Sequence, residues 1–142
     1  MRRFLSVEWS DMSQYISLAL VIAFSTFTTC AFVFFISFAY LLLFKIDQTN
    51  KAFKHPYLRE QAFAKYPFSI RMKITLDYFL RLMFPDRKVG LAGQANQLLR
   101  HVDITDIDWN IKWPIVGMWA GSALGLVAML VLWALVLSGA AK

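Results

Sequence analysis

Charge is missing from two long stretches of this 142-residue chain, and that absence limits what the chain can do. From Met12 to Phe44, 33 residues pass without Asp, Glu, Lys, Arg or His, and from Trp113 to Ala141 another 29 do the same. Proton relays, ion pathways and substrate sites inside membranes are built from those residue types. A self-sufficient pump or carrier is therefore not expected. Cysteine is almost as scarce: Cys30 stands alone, so the chain can form neither an internal disulfide nor a cysteine-based zinc site, and packing is its expected role. Outside the second uncharged run and its end, glycine is limited to Gly90 and Gly93, too few for a phosphate-binding loop or a nucleophile elbow.

What is present is oil. Hydrophobic residues make up 58% of the chain and the mean hydropathy is +0.51, well above the roughly 45–50% of soluble domains. Each uncharged run exceeds the ~20 apolar residues that cross a hydrocarbon core of about 30 Å. Lipid offers backbone amides no water, so such runs must be helices, because barrel strands would alternate and be near ten residues long. The expected fold is an all-α membrane protein: two transmembrane helices, a helical hairpin, joined by a mostly helical basic cytoplasmic loop. Its divisions are an amino-terminal tail (1–11), a first span (12–44), the loop (45–112) and a second span (113–141). The first run is too long for a straight crossing, so tilt or extension into the headgroup layer is expected. It is also about twice as long as a signal-peptide core and lacks an A-x-A-like site before the loop, so an uncleaved anchor is expected.

Lysine and arginine set the orientation. Twelve of the fifteen lie in the loop, against Arg2 and Arg3 in the tail and Lys142 at the end. The loop is expected to be cytoplasmic, with both termini opposite, periplasmic in a bacterial inner membrane. Trp113 and Trp133, twenty residues apart, suit the two interfaces of one helix. The net charge of +6 is read as serving topology and attraction to anionic headgroups rather than nucleic acid.

Within the loop, Pro56, Pro67 and Pro85 cut the chain into short pieces, too small for an independent core. From Ile70 to Tyr78 apolar and polar residues alternate, as in a strand, but no partner strand is evident. The rival is a helix carrying Phe79, Leu80, Leu82, Met83 and Phe84, lying at the membrane interface with Arg71, Lys73 and Arg81 snorkelling. It is preferred because it needs no pairing partner. Beyond Pro85, Leu91, Ala95, Leu98, Leu99 and Val102 repeat at helical spacing, predicting an amphipathic helix that ends near His101.

The sharpest motif is Gly117, Gly121 and Gly125, a tandem GxxxG on one face of the second span, extended by Ala128. Small residues let another helix approach backbone to backbone, which is how association is gained in lipid. The spacing leaves open whether the partner is the first span, a second copy or a foreign subunit. In the first span, Ser17, Ser25 and Thr28 share one side, where their hydroxyls would bond across helices or back to their own carbonyls.

Asp103, Asp106 and Asp108 crowd the approach to the second span. They lack the glycine and glutamate of a calcium loop, and the expected role is complementing the helix dipole, with Asp108 or Asn110 as cap. His55 and His101 stand isolated, and ordinary polar contacts are expected for both. No metal, cofactor or catalytic residue is expected. The leading functional expectation is a non-catalytic accessory or scaffold subunit that packs through its transmembrane helices in a larger assembly with other integral membrane subunits. The alternative is a homo-oligomeric pore. A lipid-directed enzyme would require loop acids and histidines brought together, and no constellation in the sequence does so.

Overall fold

The computed structural model describes residues 2–140, with side chains for 12–139. Among the described residues the chain is all-helical, without a strand. In order the elements are α1 (Arg2–Tyr40), a π-helical turn (Leu41–Lys45), α2 (Ile46–Phe53), 3-10 turns at Pro56–Arg59 and Phe63–Lys65, α3 (Phe68–Met83), α4 (Gly90–Leu98) and α5 (Trp109–Ala140). Two helical stretches are long and apolar enough to cross a membrane, Met12–Phe53 and Trp109–Gly139. The first therefore runs past Phe44, and the second begins before Trp113.

The chain forms two compact units: Met1–Val33 with Ala120–Lys142, and Phe34–Trp119. In the first unit the packing is made by small residues: Ala23 of α1 and Gly121, Gly125 and Ala128 of α5 are buried. Most of the large side chains there are exposed, among them Phe24, Phe32, Leu124 and Leu126.

The second unit has a true core of Leu41, Phe53, Ile74, Tyr78, Leu99, Val102, Ile107, Ile115 and Met118, with Phe34, Phe38, Phe79, Leu82 and Trp119 packed against it. The loop does not form this core alone. The folding unit recruits Phe34, Phe38 and Leu41 from one uncharged run and Ile115, Met118 and Trp119 from the other. Phe53 and Tyr78 stack at its centre with ring centroids 4.3 Å apart, and fully burying a side chain of this size stabilises by about 1.5–3 kcal/mol.

The π turn makes this core accessible to α2. At 100° per residue, Phe53 would sit about 120° around the helix from Leu41, and one extra residue in a π turn brings that to about 20°. Leu41, Thr49 and Phe53 thus share the buried side, and the Thr49 hydroxyl donates to the Lys45 carbonyl at 2.8 Å. Lys54 closes α2 in the left-handed conformation, φ 47°, with its N–H on the Asn50 carbonyl.

Residues Ile70–Tyr78 are helical, which overturns the strand alternative. Their alternation resolves into two helical stripes, Ile70, Ile74 and Tyr78 on one side, Met72 and Leu76 on another, each four residues apart. Pro67 precedes α3 and its carbonyl accepts the N–H groups of Ile70 and Arg71, while Pro85 follows the end. In α4 the expected stripe is only partly inward: Ala95, Leu99 and Val102 are buried, but Leu91 points outward. Asp108 directly precedes α5, its carbonyl accepting from Ile111 and Lys112 N–H. Asn110 lies inside the first turn and is no cap.

Candidate functional site

In the first unit, the sequence-predicted packing residues separate. Gly121, Gly125 and Ala128 are buried, and Gly117, which belongs to the second unit, is half-buried. A Cβ built on Gly125 would stand 3.4 Å from the Cys30 Cβ, so the glycine lets α5 reach van der Waals contact with α1 at that level. Four hydroxyls of α1 turn to their own helix. Ser17 donates to the Ser13 carbonyl and Thr28 to the Phe24 carbonyl, both at 2.9 Å, while Ser17 and Ser25 are exposed and Thr28 is half-buried. Thr26 and Thr29 do the same one turn back. This i−4 bonding satisfies those four hydroxyls and leaves none of them aimed at a ligand.

Beside that contact runs an open, almost wholly apolar groove of about 530 Å³, walled by Ala19, Ala23, Thr26 and Cys30 of α1 and by Leu124, Ala128 and Val131 of α5. Its small side chains would let another helix backbone come close, and it offers nothing to coordinate an ion.

In the second unit a polar cluster is buried where the sequence showed only isolated residues. His55 and Asp77, 22 positions apart, meet with Nε2 3.2 Å from Oδ2, and both are buried. The Tyr57 backbone N–H donates to His55 Nδ1 at 3.3 Å. That assigns the ring proton to Nε2, which donates to the carboxylate. Next to them the Tyr78 hydroxyl donates to Asn50 Oδ1 at 3.0 Å. Burial, and then the neighbouring Asp77 charge, push the Tyr78 phenol well above its usual range. Both His55 nitrogens are occupied and the ring is closed to solvent, so this arrangement orders α2, the Pro56 turn and α3 rather than presenting a base to a substrate. His101 reaches the Phe53 carbonyl at 3.1 Å.

The basic residues of α3 are engaged within the chain. Arg71 donates to the carbonyls of Tyr66 and Ala64, at 2.8 and 2.6 Å, and Arg81 to those of Val102 and Pro85. Lys73 donates to the Tyr57 hydroxyl at 3.1 Å, and this hydrogen bond raises its affinity for the proton. Arg71 and Arg81 thus brace the turns before and after α3, while Lys73 lies exposed beside the Tyr57 hydroxyl. Among the described residues no three His, Cys, Asp or Glu side chains come together to hold a metal. Asp103 instead takes up the hydroxyl and backbone N–H of Thr105, which hold its carboxyl below the usual range.

No family model matches the chain, and neither the curated proteins nor the solved structures include a match to it.

Proposed function

We propose that this chain is a two-span integral membrane protein and a non-catalytic accessory or scaffold subunit, holding a transmembrane helix of an unlike subunit in the groove between α1 and α5. The membrane part of the reading is supported by the apolarity of both long helices together with their exposure. Only 6% and 17% of their most apolar windows are buried within the protein, whereas the core helix of a water-soluble protein would be mostly covered. Lysine and arginine placement favours a cytoplasmic loop, with both termini across the membrane, as in a bacterial inner-membrane protein.

The observation that carries the subunit reading is the apolar groove with its small-residue floor. A homo-oligomeric pore is less well supported, because a conducting wall needs polar lining and the Ser17 and Thr28 hydroxyls are bonded to their own helix. The loop, with twelve basic and seven acidic residues, would rest against anionic headgroups.

Purification of the full chain in mild detergent, with crosslinking and mass spectrometry, tests the proposal. It predicts an unlike membrane subunit crosslinked along Ala19–Thr26, and its loss on Ala19→Phe or Thr26→Phe, which fill the groove from partly exposed positions. A wild-type protein that runs as a lone monomer would defeat it, as would a self-assembled ring that conducts in liposomes.

A further inference from the structure

The α3 helix carries two apolar stripes, and the core uses the whole of one but only Phe79 of the other. Ile70, Ile74, Tyr78 and Leu82 face the interior of the second unit. Phe68, Met72, Leu76, Phe79 and Met83, at i, i+4, i+8, i+11 and i+15, fall within about 80° of one another on a different side. The ends of that second stripe are bare: Phe68 is 63% and Met83 47% exposed. Its middle is anchored, because the Phe79 ring lies 6.5 Å from that of Trp119. Trp119 sits six residues inside the uncharged run of α5. The opposite edge of α3 meets aqueous-side chemistry: Tyr78 stacks on Phe53 and bonds Asn50, both beyond Lys45. The helix therefore lies between the apolar run of α5 and the polar loop, with the ends of its second stripe uncovered and the middle half-buried on the side where Trp119 lies.

The turn that follows α3 has the same mixed character and is rigidly held. The Asn96 amide donates to the carbonyls of Phe84 and Arg87 at 2.7 and 2.8 Å, and Gly93 packs so tightly under Lys88 that a Cβ would fall 2.5 Å from its carbonyl. Phe84 and Val89 are exposed beside exposed Arg87 and Lys88.

We infer that α3 is an interfacial helix whose Phe68–Met72–Leu76–Phe79–Met83 stripe lies in the headgroup–acyl boundary of the bilayer that the two long helices cross. Arg87 and Lys88 meet the lipid phosphates at its end. The occupant is lipid rather than a protein groove because the stripe is continuous, through Phe79 and Trp119, with an apolar run that lies in hydrocarbon. An amphipathic helix with adjacent basic residues is the form that binds such a boundary. The inference rests on the proposed membrane location and extends it to an element that does not span.

The test is site-directed spin labelling of the full chain in liposomes of mixed zwitterionic and anionic phospholipid, with Cys30→Ser as background. Labels at Phe68→Cys and Met83→Cys are expected to collide severalfold more often with oxygen, relative to a water-soluble nickel chelate, than a label at Lys51→Cys. A label at Leu126→Cys reports the span itself. If Leu126→Cys is lipid-exposed while Phe68→Cys and Met83→Cys match Lys51→Cys, the interfacial helix is refuted and the membrane reading stands. If Leu126→Cys is also aqueous, the membrane reading fails. Labels at Phe68→Cys and Met83→Cys shielded from both reagents would mean that protein covers the stripe, which likewise overturns the inference.

Discussion

Removing the Asp77 carboxylate should loosen the second unit by an amount that can be estimated from its surroundings. His55 is fully buried and Asp77 only 5% exposed, so Asp77→Ala leaves the His55 Nε2–H in the interior without an acceptor. Hydrogen bonds to charged groups contribute about 1.5–3 kcal/mol, and an orphaned buried donor bears its full desolvation cost. A loss of about 2–3 kcal/mol follows. At 1.36 kcal/mol per factor of ten, amides of α2 and α3 that exchange through opening of this unit should lose protection by roughly 30- to 150-fold. Asp77→Asn keeps an oxygen for the same N–H and should cost less. A double change, His55→Leu with Asp77→Leu, should cost less than the sum of its parts, since a buried pair replaced by apolar side chains is often tolerated. Hydrogen exchange followed by mass spectrometry in detergent or nanodiscs reads all of these. If Asp77→Ala exchanges within about twofold of wild type, the pair is not what orders α2 against α3.

Other outcomes follow from single contacts. The 3.4 Å Cβ separation at Gly125 and Cys30 is close to the 3.5–4.5 Å of disulfides. Gly125→Cys should therefore oxidise to an intramolecular bridge with Cys30, seen as loss of maleimide labelling; crosslinked dimers alone would show that the two helices meet across copies instead. Tyr78, whose phenol is held above the ordinary value of 10.0 mainly by burial, stabilises the fold fully below that value. Stability is lost as pH rises beyond it, because the unfolded phenol ionises first; Tyr78→Phe should remove that alkaline decline in a melting experiment. Gly93→Ala must displace the Lys88 carbonyl and should cost about 1–3 kcal/mol by thermal melting. Gly121→Leu should weaken association with a co-purifying subunit on size-exclusion chromatography, and unchanged co-elution would count against association through the glycine face of α5.

The parts of this fold that were legible in the sequence are those set by composition over long windows. The two uncharged runs announce two long helices because lipid-compatible length and apolarity are additive properties of a stretch. The loop was less legible, because its organisation depends on contacts between distant residues. His55 and Asp77 carry no local signal of their pairing, and the alternating Ile70–Tyr78 segment fits a strand as well as a helix with two apolar sides. The second stripe, Phe68 to Met83, could have been found by testing helical spacing through the alternation, but its role depends on Phe79 reaching Trp119. The extra residue in the Leu41–Lys45 turn has no sequence signature here, yet it decides that Phe53 joins the core.

That turn also explains how a short polar connection can be well ordered. A loop of this length cannot bury enough surface alone, but the ends of two long helices already stand as walls. Phe34, Phe38 and Leu41 on one side and Ile115, Met118 and Trp119 on the other supply apolar surface whose backbone is already fixed by helical hydrogen bonds. Little further ordering entropy is then lost in packing α3 onto them.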